Sequence, residues 1–228
     1  MDNLRERGVL FGFSATATRG NNDLVVSDEF VDFYADKGCV VGWYFNLMPI
    51  GDEAGALDRM PTPEQRLSRR RRLIELRRRL PMILVDFWND GALVGGCMAA
   101  GRYYAHINVF GDVEPCVFCQ FAVDNIRTKS LHDVLDSAFF RKVRARQPYS
   151  HNHLRGCMII DHPRILRDLV EETGARPTYA GGEALLCDAA AGLDRYASEW
   201  ARLAEKQWVA EGSDAIERLD RARQDRAT

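Results

Sequence analysis

Four of the six cysteines in this 228-residue chain are spaced as metal ligands, and this spacing constrains the fold more than any other feature. Thirteen residues separate Cys97 from Gly111, and four more lead to Cys116, which opens a Cys-x2-Cys step that ends at Cys119. Cys157 follows after a helical stretch. Thiolates select soft or borderline metal centres, and four of them complete the coordination of a structural zinc or of an iron–sulfur cluster. Either centre would hold distant parts of the chain together.

The composition limits the remaining alternatives. With 46% hydrophobic and 28% charged residues, the chain is expected to bury a core in one or two globular units. Lys and Arg number 31 against 33 Asp and Glu, so the net charge of -2 gives no global case for binding nucleic acid or an anionic membrane. No apolar run approaches the roughly 20 residues that cross a bilayer, and the first residues lack a signal peptide. We therefore expect a cytoplasmic protein whose clustered cysteines bind a metal.

Strand-like and helix-like stretches alternate in residues 1–92, which predicts an α/β unit with parallel strands. Strands are expected at 9–18, 39–49 and 82–87, a first helix from Ser27 to Gly38, and a second from Thr62 to about Arg79. Ser27 is an expected N-cap, and Thr62 is expected to form a capping box with a glutamine three residues later.

Small polar residues lie at the carboxyl end of the first predicted strand, where barrel enzymes place binding groups. They are Thr16, Thr18 and Asn21, which we predict to face a cofactor or substrate. Turn formation explains Asn21 equally well.

Eight arginines lie between Arg66 and Arg79 and raise the question of nucleic-acid binding. Leu67, Leu73 and Leu76 give the same helix an apolar side. We therefore predict that the arginines form the solvated face of the helix.

The cysteine region predicts a separate small module. Residues 103–109 and 113–117 are two short strands around Gly111, typical of a hairpin that returns Cys116 towards Cys97. Ser130 then starts a helix, after which the chain returns through Pro148 to Cys157. Further helices are predicted from Pro163 to Gly174 and over 183–208, and residues 213–228 are expected to form an exposed helix or a frayed tail.

The remaining cysteines and the histidines have simpler interpretations. Cys39 and Cys187 are expected to be core thiols. His106 lies within the hairpin and is a candidate for a hydrogen bond to the groups that surround the metal ligands. Such hydrogen bonds tune the reduction potential of a metal centre. For His106, as for the other histidines near Cys157 (His151, His153 and His162), an ordinary surface or loop position is the simpler expectation.

The cysteine spacing and the surrounding text, such as Gly111-Asp112-Val113-Glu114-Pro115-Cys116, resemble the SPASM and twitch domains. These auxiliary-cluster modules follow the barrel in many radical S-adenosylmethionine (SAM) enzymes. The resemblance implies the C-terminal part of a partial (β/α) radical SAM barrel in residues 1–92. A cysteine-ligated β-hairpin/α module would follow in 93–178, and a helical extension in 179–228. It also implies one auxiliary 4Fe-4S cluster on Cys97, Cys116, Cys119 and Cys157.

The chain departs from the family at one decisive point, because it contains no C-x3-C-x2-C triplet. We therefore expect a C-terminal portion: a truncated gene, an internal start or half of a split enzyme. SAM would be a cofactor only of the complete enzyme, and the expected partners are an N-terminal radical SAM half and a peptide or other large substrate. The alternative is a non-catalytic, zinc-stabilised interaction protein that docks through the arginine helix and the charged tail.

Overall fold

The computed structural model describes residues 1–51, 56–99 and 101–211, which form a mixed α/β structure of helices and small sheets. The chain divides into two compact units. The first comprises Met1–Leu47 and Asp58–Asp90, and the second Met48–Leu57 and Gly91–Thr228. The predicted boundaries at residues 92 and 178 stay predictions, and the charged tail predicted at 213–228 lies outside the described residues. None of the described helices has both the length and the apolar character needed to cross a bilayer.

The first unit is built on a parallel sheet. Its elements are α1 (Asp2–Glu6), β1 (Gly12–Ala17), α2 (Asp28–Asp36), β2 (Val41–Asn46), α3 (Pro63–Arg79) and β3 (Ile83–Asp86). The strand order is β1-β2-β3, with Gly12 opposite Val41 and Val41 opposite Ile83. The parallel strands predicted from the alternating pattern are confirmed.

Capping side chains begin both connecting helices as predicted. The Ser27 hydroxyl accepts a hydrogen bond from the Phe30 N–H at 3.2 Å. Thr62 Oγ1 accepts from the Gln65 N–H at 3.2 Å, and Gln65 Oε1 accepts from the Thr62 N–H at 3.0 Å. This reciprocal pair satisfies two backbone donors at the start of α3.

One face of the sheet is buried and the other is not. On the buried face, Tyr44 and Leu84 share a core with Val31 of α2 and with Leu73 and Leu76 of α3. The opposite face carries Ser14, Thr16, Trp43 and Ile83, all exposed, with Trp43 at 43% and Ile83 at 69%. Parallel sheets are ordinarily covered on both faces, so this apolar face is unusual.

The second unit contains two short antiparallel ladders and several helices. Its elements are α4 (Gly91–Val94), β4 (His106–Ile107), β5 (Val113–Glu114), β6 (Phe121–Ala122), α5 (Leu131–Leu135), α6 (Ala138–Ala145), α7 (Pro163–Thr173), β7 (Arg176–Pro177) and α8 (Ala190–Glu211). β4 pairs with β5, which confirms the hairpin, and β6 pairs with β7. Buried aromatic side chains such as Phe139, Phe140 and Trp200 form its core.

Two predicted helices are interrupted. The helix expected after Ser130 ends at Leu135, because Ser137 caps a new helix by accepting from the Phe140 N–H at 3.4 Å. The helix predicted over 183–208 consists of a 3-10 turn at Gly182–Leu185 followed by α8. The helix from Pro163 to Gly174 is confirmed, and Gly174 has the left-handed conformation of a C-terminal cap.

The solvated arginine face predicted for α3 is wrong for three of its members. Arg66 and Arg69 are fully buried and Arg70 is 7% exposed, whereas Arg71, Arg78 and Arg79 are exposed as predicted. The leucines predicted for the apolar side are buried. The helix is therefore buried over both its leucine stripe and part of its arginine stripe.

Polar partners at the strand ends explain this burial. Arg69 Nη1 donates to Asn22 Oδ1 at 3.0 Å, and its Nη2 donates to Asn46 Oδ1 at the end of β2. Arg69 Nε lies 3.5 Å from Asp86 Oδ2 at the end of β3. Arg66 Nε donates to Asn89 Oδ1 at 2.8 Å. A buried guanidinium requires such acceptors and a counter-charge, and residues distant in sequence supply them.

We predict that Arg69→Met destabilises the first unit by about 3–5 kcal/mol, because the Asp86 carboxylate would stay buried without its cation. Urea unfolding followed by circular dichroism measures this change. The matched control is Arg78→Met on the exposed side of the same helix, which should change stability by less than about 0.5 kcal/mol. Equal effects of the two substitutions would contradict the assignment of a buried ion pair, whereas Arg69→Met/Asp86→Leu should recover part of the loss.

Candidate metal centre

The β4–β5 hairpin positions Cys116 and Cys119. Asn108 Oδ1 accepts from the backbone N–H groups of Phe110 (2.9 Å) and Asp112 (3.1 Å), which closes the turn. Gly111 has φ +89°, and a Cβ atom there would lie 2.7 Å from Asn125 Oδ1, so glycine is required on both counts. The hairpin therefore delivers the chain to Cys116 in a fixed direction.

Cys116 and Cys119 form a tight turn. The Cys119 N–H donates to the Cys116 carbonyl at 3.0 Å, and the two residues form an antiparallel bridge. Burial and the nearby thiolates raise the pKa of the Cys116 thiol. The backbone N–H groups of Phe118 and Cys119, which donate to the Cys116 sulfur, lower it by a smaller amount. Because Phe121 starts β6 two residues after Cys119, the turn is held between two ladders.

Glycines bring the other two cysteines together. A Cβ atom at Gly156 would lie 3.4 Å from the backbone nitrogen of Cys97, so the segment before Cys157 passes directly beside Cys97. Gly96, which precedes Cys97, has φ +98°. Cys97 and Cys157 are therefore neighbours although 60 positions separate their numbers.

A buried carboxylate fixes Cys157. The Cys157 N–H donates to Asp161 Oδ2 at 3.0 Å, and the N–H groups of Asp161 and His162 donate to the Cys157 carbonyl at 3.0 and 3.1 Å. The Ile159 N–H donates to the Cys157 sulfur at 3.4 Å. Asp161 is 1% exposed. This closed loop sets the direction of the Cys157 side chain.

The four predicted ligands share one electrostatic environment. Burial raises the pKa of all four thiols, that of Cys157 to about 12. The neighbouring thiolates raise the pKa of Cys116 and Cys119 further: Cys97 and Cys157 act on Cys116, and Cys116, Cys157 and Cys97 act on Cys119. This coupling agrees with the backbone geometry, in which the Cys116–Cys119 turn and the approach of Gly156 to Cys97 bring the cysteines together in pairs. A bound cation is the natural stabiliser of four thiolates placed in this way.

Two tyrosines border the same centre. Burial raises the pKa of Tyr104 and Tyr149, and the charges of Cys97 and Cys157 add to both shifts. Tyr149 Oη lies 3.2 Å from Gln147 Nε2 and 3.6 Å from the sulfur of Met158. Neither tyrosine is predicted from the sequence to lie at the site.

The four thiols are chemically suited to bind a metal, but they are not arranged around a position where one metal ion would bind. Among the described residues, no three or more His, Cys, Asp or Glu side chains are arranged to hold one metal ion. The described donors at the centre are four thiols, with backbone N–H groups directed at three of the sulfurs, those of Cys97, Cys116 and Cys157. Thiolates with N–H···S bonds are the ligands that iron–sulfur clusters use.

His106 contacts a carboxylate. Its Nδ1 lies 2.7 Å from Oε2 of Glu114, which is fully buried. Glu114 Oε1 also accepts from Asn108 Nδ2 at 3.0 Å and from the Thr178 hydroxyl. The charge of Glu114 contributes to the raised pKa of Cys119, so His106 can influence the thiols only through Glu114. Glu114 and Asp161 were missed, although each lies within four residues of a predicted ligand.

The other predicted site residues lie elsewhere. Thr16, Thr18 and Asn21 belong to the first unit. Asn21 closes a turn: its Oδ1 accepts from the Thr18 N–H at 2.7 Å, and its Nδ2 donates to the Thr16 carbonyl at 3.1 Å. Cys39 is buried as predicted, whereas the core position predicted for Cys187 is wrong, because that thiol is exposed and donates to the Glu183 carbonyl.

Three histidines near Cys157 have ordinary environments. His151 is exposed and lies 3.6 Å from a Glu205 carboxylate oxygen. His153 packs edge-on against Trp208, and His162 Nε2 lies 2.9 Å from the Arg155 carbonyl. The expectation of loop or surface histidines is confirmed for this group.

Comparison with known proteins identifies the cysteine module. Residues 97–158 match the family model of SPASM, an iron–sulfur cluster-binding domain. Searches of curated proteins and of solved structures found no match. The matched range begins at Cys97 and contains the other three predicted ligands. The resemblance inferred from the cysteine spacing is thus confirmed for residues 97–158, which match a SPASM iron–sulfur cluster-binding domain.

Proposed function

We propose that this chain is the C-terminal portion of a SPASM-type radical SAM enzyme, in which Cys97, Cys116, Cys119 and Cys157 hold one auxiliary 4Fe-4S cluster. The observation that carries the proposal is that the SPASM match contains all four cysteines, while the Cys116–Cys119 turn and the approach of Gly156 to Cys97 bring them together in pairs. The match supports iron–sulfur binding, and the ligand set and the single cluster are the finer parts of the proposal.

Zinc is the second candidate metal. The Cys116–Cys119 turn favours it, since a Cys-x2-Cys step suits a tetrahedral zinc ion. The family match favours iron. The zinc alternative would make the module a structural support for an interaction protein.

The protein residues around the centre suggest an electron-transfer role. A bound cluster would supply redox chemistry. Four cysteine ligands for four irons leave no iron open to a substrate atom, which favours electron transfer over direct substrate ligation. Backbone N–H groups at Cys116 and Cys157 and the buried Glu114 would tune the potential, since hydrogen bonds and charge set it. Side chains beside the centre would then bind the peptide or other large substrate.

The first unit supports a partner that completes a barrel. Trp43 and Ile83 are exposed on the open face of a parallel sheet, and β1 is an edge strand of that sheet among the described residues. Open faces and strand edges are surfaces that further strands cover. We infer that a radical SAM half carrying the C-x3-C-x2-C motif would add strands next to β1, with Thr16 on the face turned towards the cofactor.

We predict that Cys116→Ala removes most of the bound iron and sulfide and destabilises the cysteine module, because one of four ligands is lost. The test is anaerobic purification followed by analysis of iron, sulfide and zinc. Cys97→Ala should behave in the same way.

Cys187→Ala is the matched control, because Cys187 is an exposed thiol of the same unit. It should keep the metal content of the unmodified chain. Loss of metal in all three variants would discredit the ligand assignment, and stoichiometric zinc without sulfide would replace the cluster by the zinc alternative.

We predict that this chain, mixed with SAM and dithionite, forms no 5′-deoxyadenosine, because it lacks the C-x3-C-x2-C motif. Chromatography of the reaction mixture measures this product. As a positive control, an intact radical SAM enzyme in the same buffer should form it. Formation of 5′-deoxyadenosine by this chain alone would contradict the proposal that a separate radical SAM half cleaves SAM.

A further inference from the structure

The hairpin of the second unit exposes a concentration of large apolar side chains. Between residues 103 and 110, Tyr103 is 65% exposed, Ile107 41%, Val109 80% and Phe110 59%. Contiguous apolar patches on a protein surface mark interaction sites. This hairpin leads into Cys116, so the patch belongs to the cysteine module.

The outer edge of β4 offers unpaired backbone groups. The Asn108 N–H donates to the Asp112 carbonyl at 3.1 Å, and His106, two residues earlier, faces Glu114 in the same kind of pair. Ile107 and Val113 therefore form the alternate, non-hydrogen-bonded pair, in which N–H and C=O point away from the partner strand. In the described part of the chain, neither group of Ile107 takes part in a turn or loop hydrogen bond. Ile107 thus presents one donor and one acceptor to an added strand.

A groove runs beside this edge. It has a volume of about 280 Å³, and α5 forms its second wall through Leu131 and Leu135. The hairpin side supplies Tyr103, Tyr104 and Ile107. A strand edge next to an apolar groove and a helix is the arrangement that binds an extended peptide, through main-chain hydrogen bonds and alternate side chains.

The groove reaches the metal centre through Tyr104. Tyr104 lines the groove, and, after burial, the charges of Cys116, Cys97 and Cys157 are what raise its pKa. Tyr104 and the hairpin residues that line the groove precede Cys116, so the groove belongs to the cysteine module.

Positive charge marks one end of the groove. Arg102 lines it, and its guanidinium lies 4.9 Å from the centre of the Tyr103 ring. Arg144 Nη1 lies 3.2 Å from the position of a Cβ atom at Gly101, another lining residue. Asp136, close to Arg144, is paired with Arg141. An acidic side chain at this end would meet complementary charge.

We propose that this groove binds an extended segment of a peptide substrate, which adds as a strand to Ile107, places apolar side chains between β4 and α5, and directs a carboxylate towards Arg102 and Arg144. As a substrate site, it rests on the proposed function of the module. A second copy of this chain or a small apolar molecule would be the rival occupants.

The test measures binding of the peptide Glu-Ile-Thr-Val-Thr-amide, labelled with fluorescein on its N-terminal amine, to the full chain by fluorescence polarisation. Ile107→Pro removes the outward N–H and leaves the β4–β5 ladder intact, since that N–H is not part of it. Ile107→Thr removes apolar surface but keeps the N–H, and it is the matched control. We expect Ile107→Pro to bind at least about tenfold more weakly than Ile107→Thr.

A second measurement needs no variant. The same peptide N-methylated at its central residues should bind at least about tenfold more weakly to the unmodified chain, because strand addition uses peptide N–H groups. Equal binding of both peptides, or no binding of either, overturns the proposal. This comparison decides the question even if circular dichroism shows that Ile107→Pro unfolds.

Two further measurements distinguish the proposed peptide from a second copy of the chain and test the cluster separately from the groove. Sedimentation that shows a dimer, lost in Ile107→Pro, would assign the edge to a second copy and overturn the peptide proposal. Iron and sulfide analysis of the same samples tests the proposed function by itself: zinc-loaded protein that still binds the peptide would overturn only the cluster, whereas iron-loaded protein that does not bind it would overturn only the groove.

Discussion

The concentration of four cysteine thiols in one segment is the constraint on which the second unit depends. Loss of solvation raises the pKa of all four thiols, and neighbouring thiolates raise those of Cys116, Cys119 and Cys157 further, so thiolates are unstable there without a cation. The surrounding structure nevertheless directs backbone N–H groups at three of the sulfurs and fixes Cys157 through a buried Asp161. Such an environment suits metal binding, which agrees with the SPASM match.

The first unit also buries a charged side chain, and its own residues supply the partners. The Arg69 guanidinium is fully buried, and Asp86 with two asparagines receives it at the strand ends. Charge in the first unit is thus tolerated because a partner is positioned in advance by the chain itself. The Cys116 and Cys119 thiols of the second unit have no comparable cationic partner among the described contacts, and burial raises their pKa values.

Local signals were readable from the sequence and distant partners were not. The capping box at Thr62, the hairpin around Gly111 and the four cysteines follow from short-range patterns, and the structure shows the first two directly. The burial of Arg66 and Arg69 depends on acceptors about 20 or more residues away, and the same arginine stripe on a helix suits either solvent or a polar core. Glu114 and Asp161 were missed because acidic residues near a cysteine carry no periodic pattern.

The left-handed glycine beside Cys97 has a consequence for assembly. The ladders hold Cys116 and Cys119, and a closed loop holds Cys157, but Cys97 follows two glycines in left-handed conformations, Gly95 and Gly96. Glycine loses more backbone freedom on ordering than any other residue. We therefore expect that ordering the segment that bears Cys97 costs more backbone entropy than ordering the segments that bear Cys116, Cys119 and Cys157.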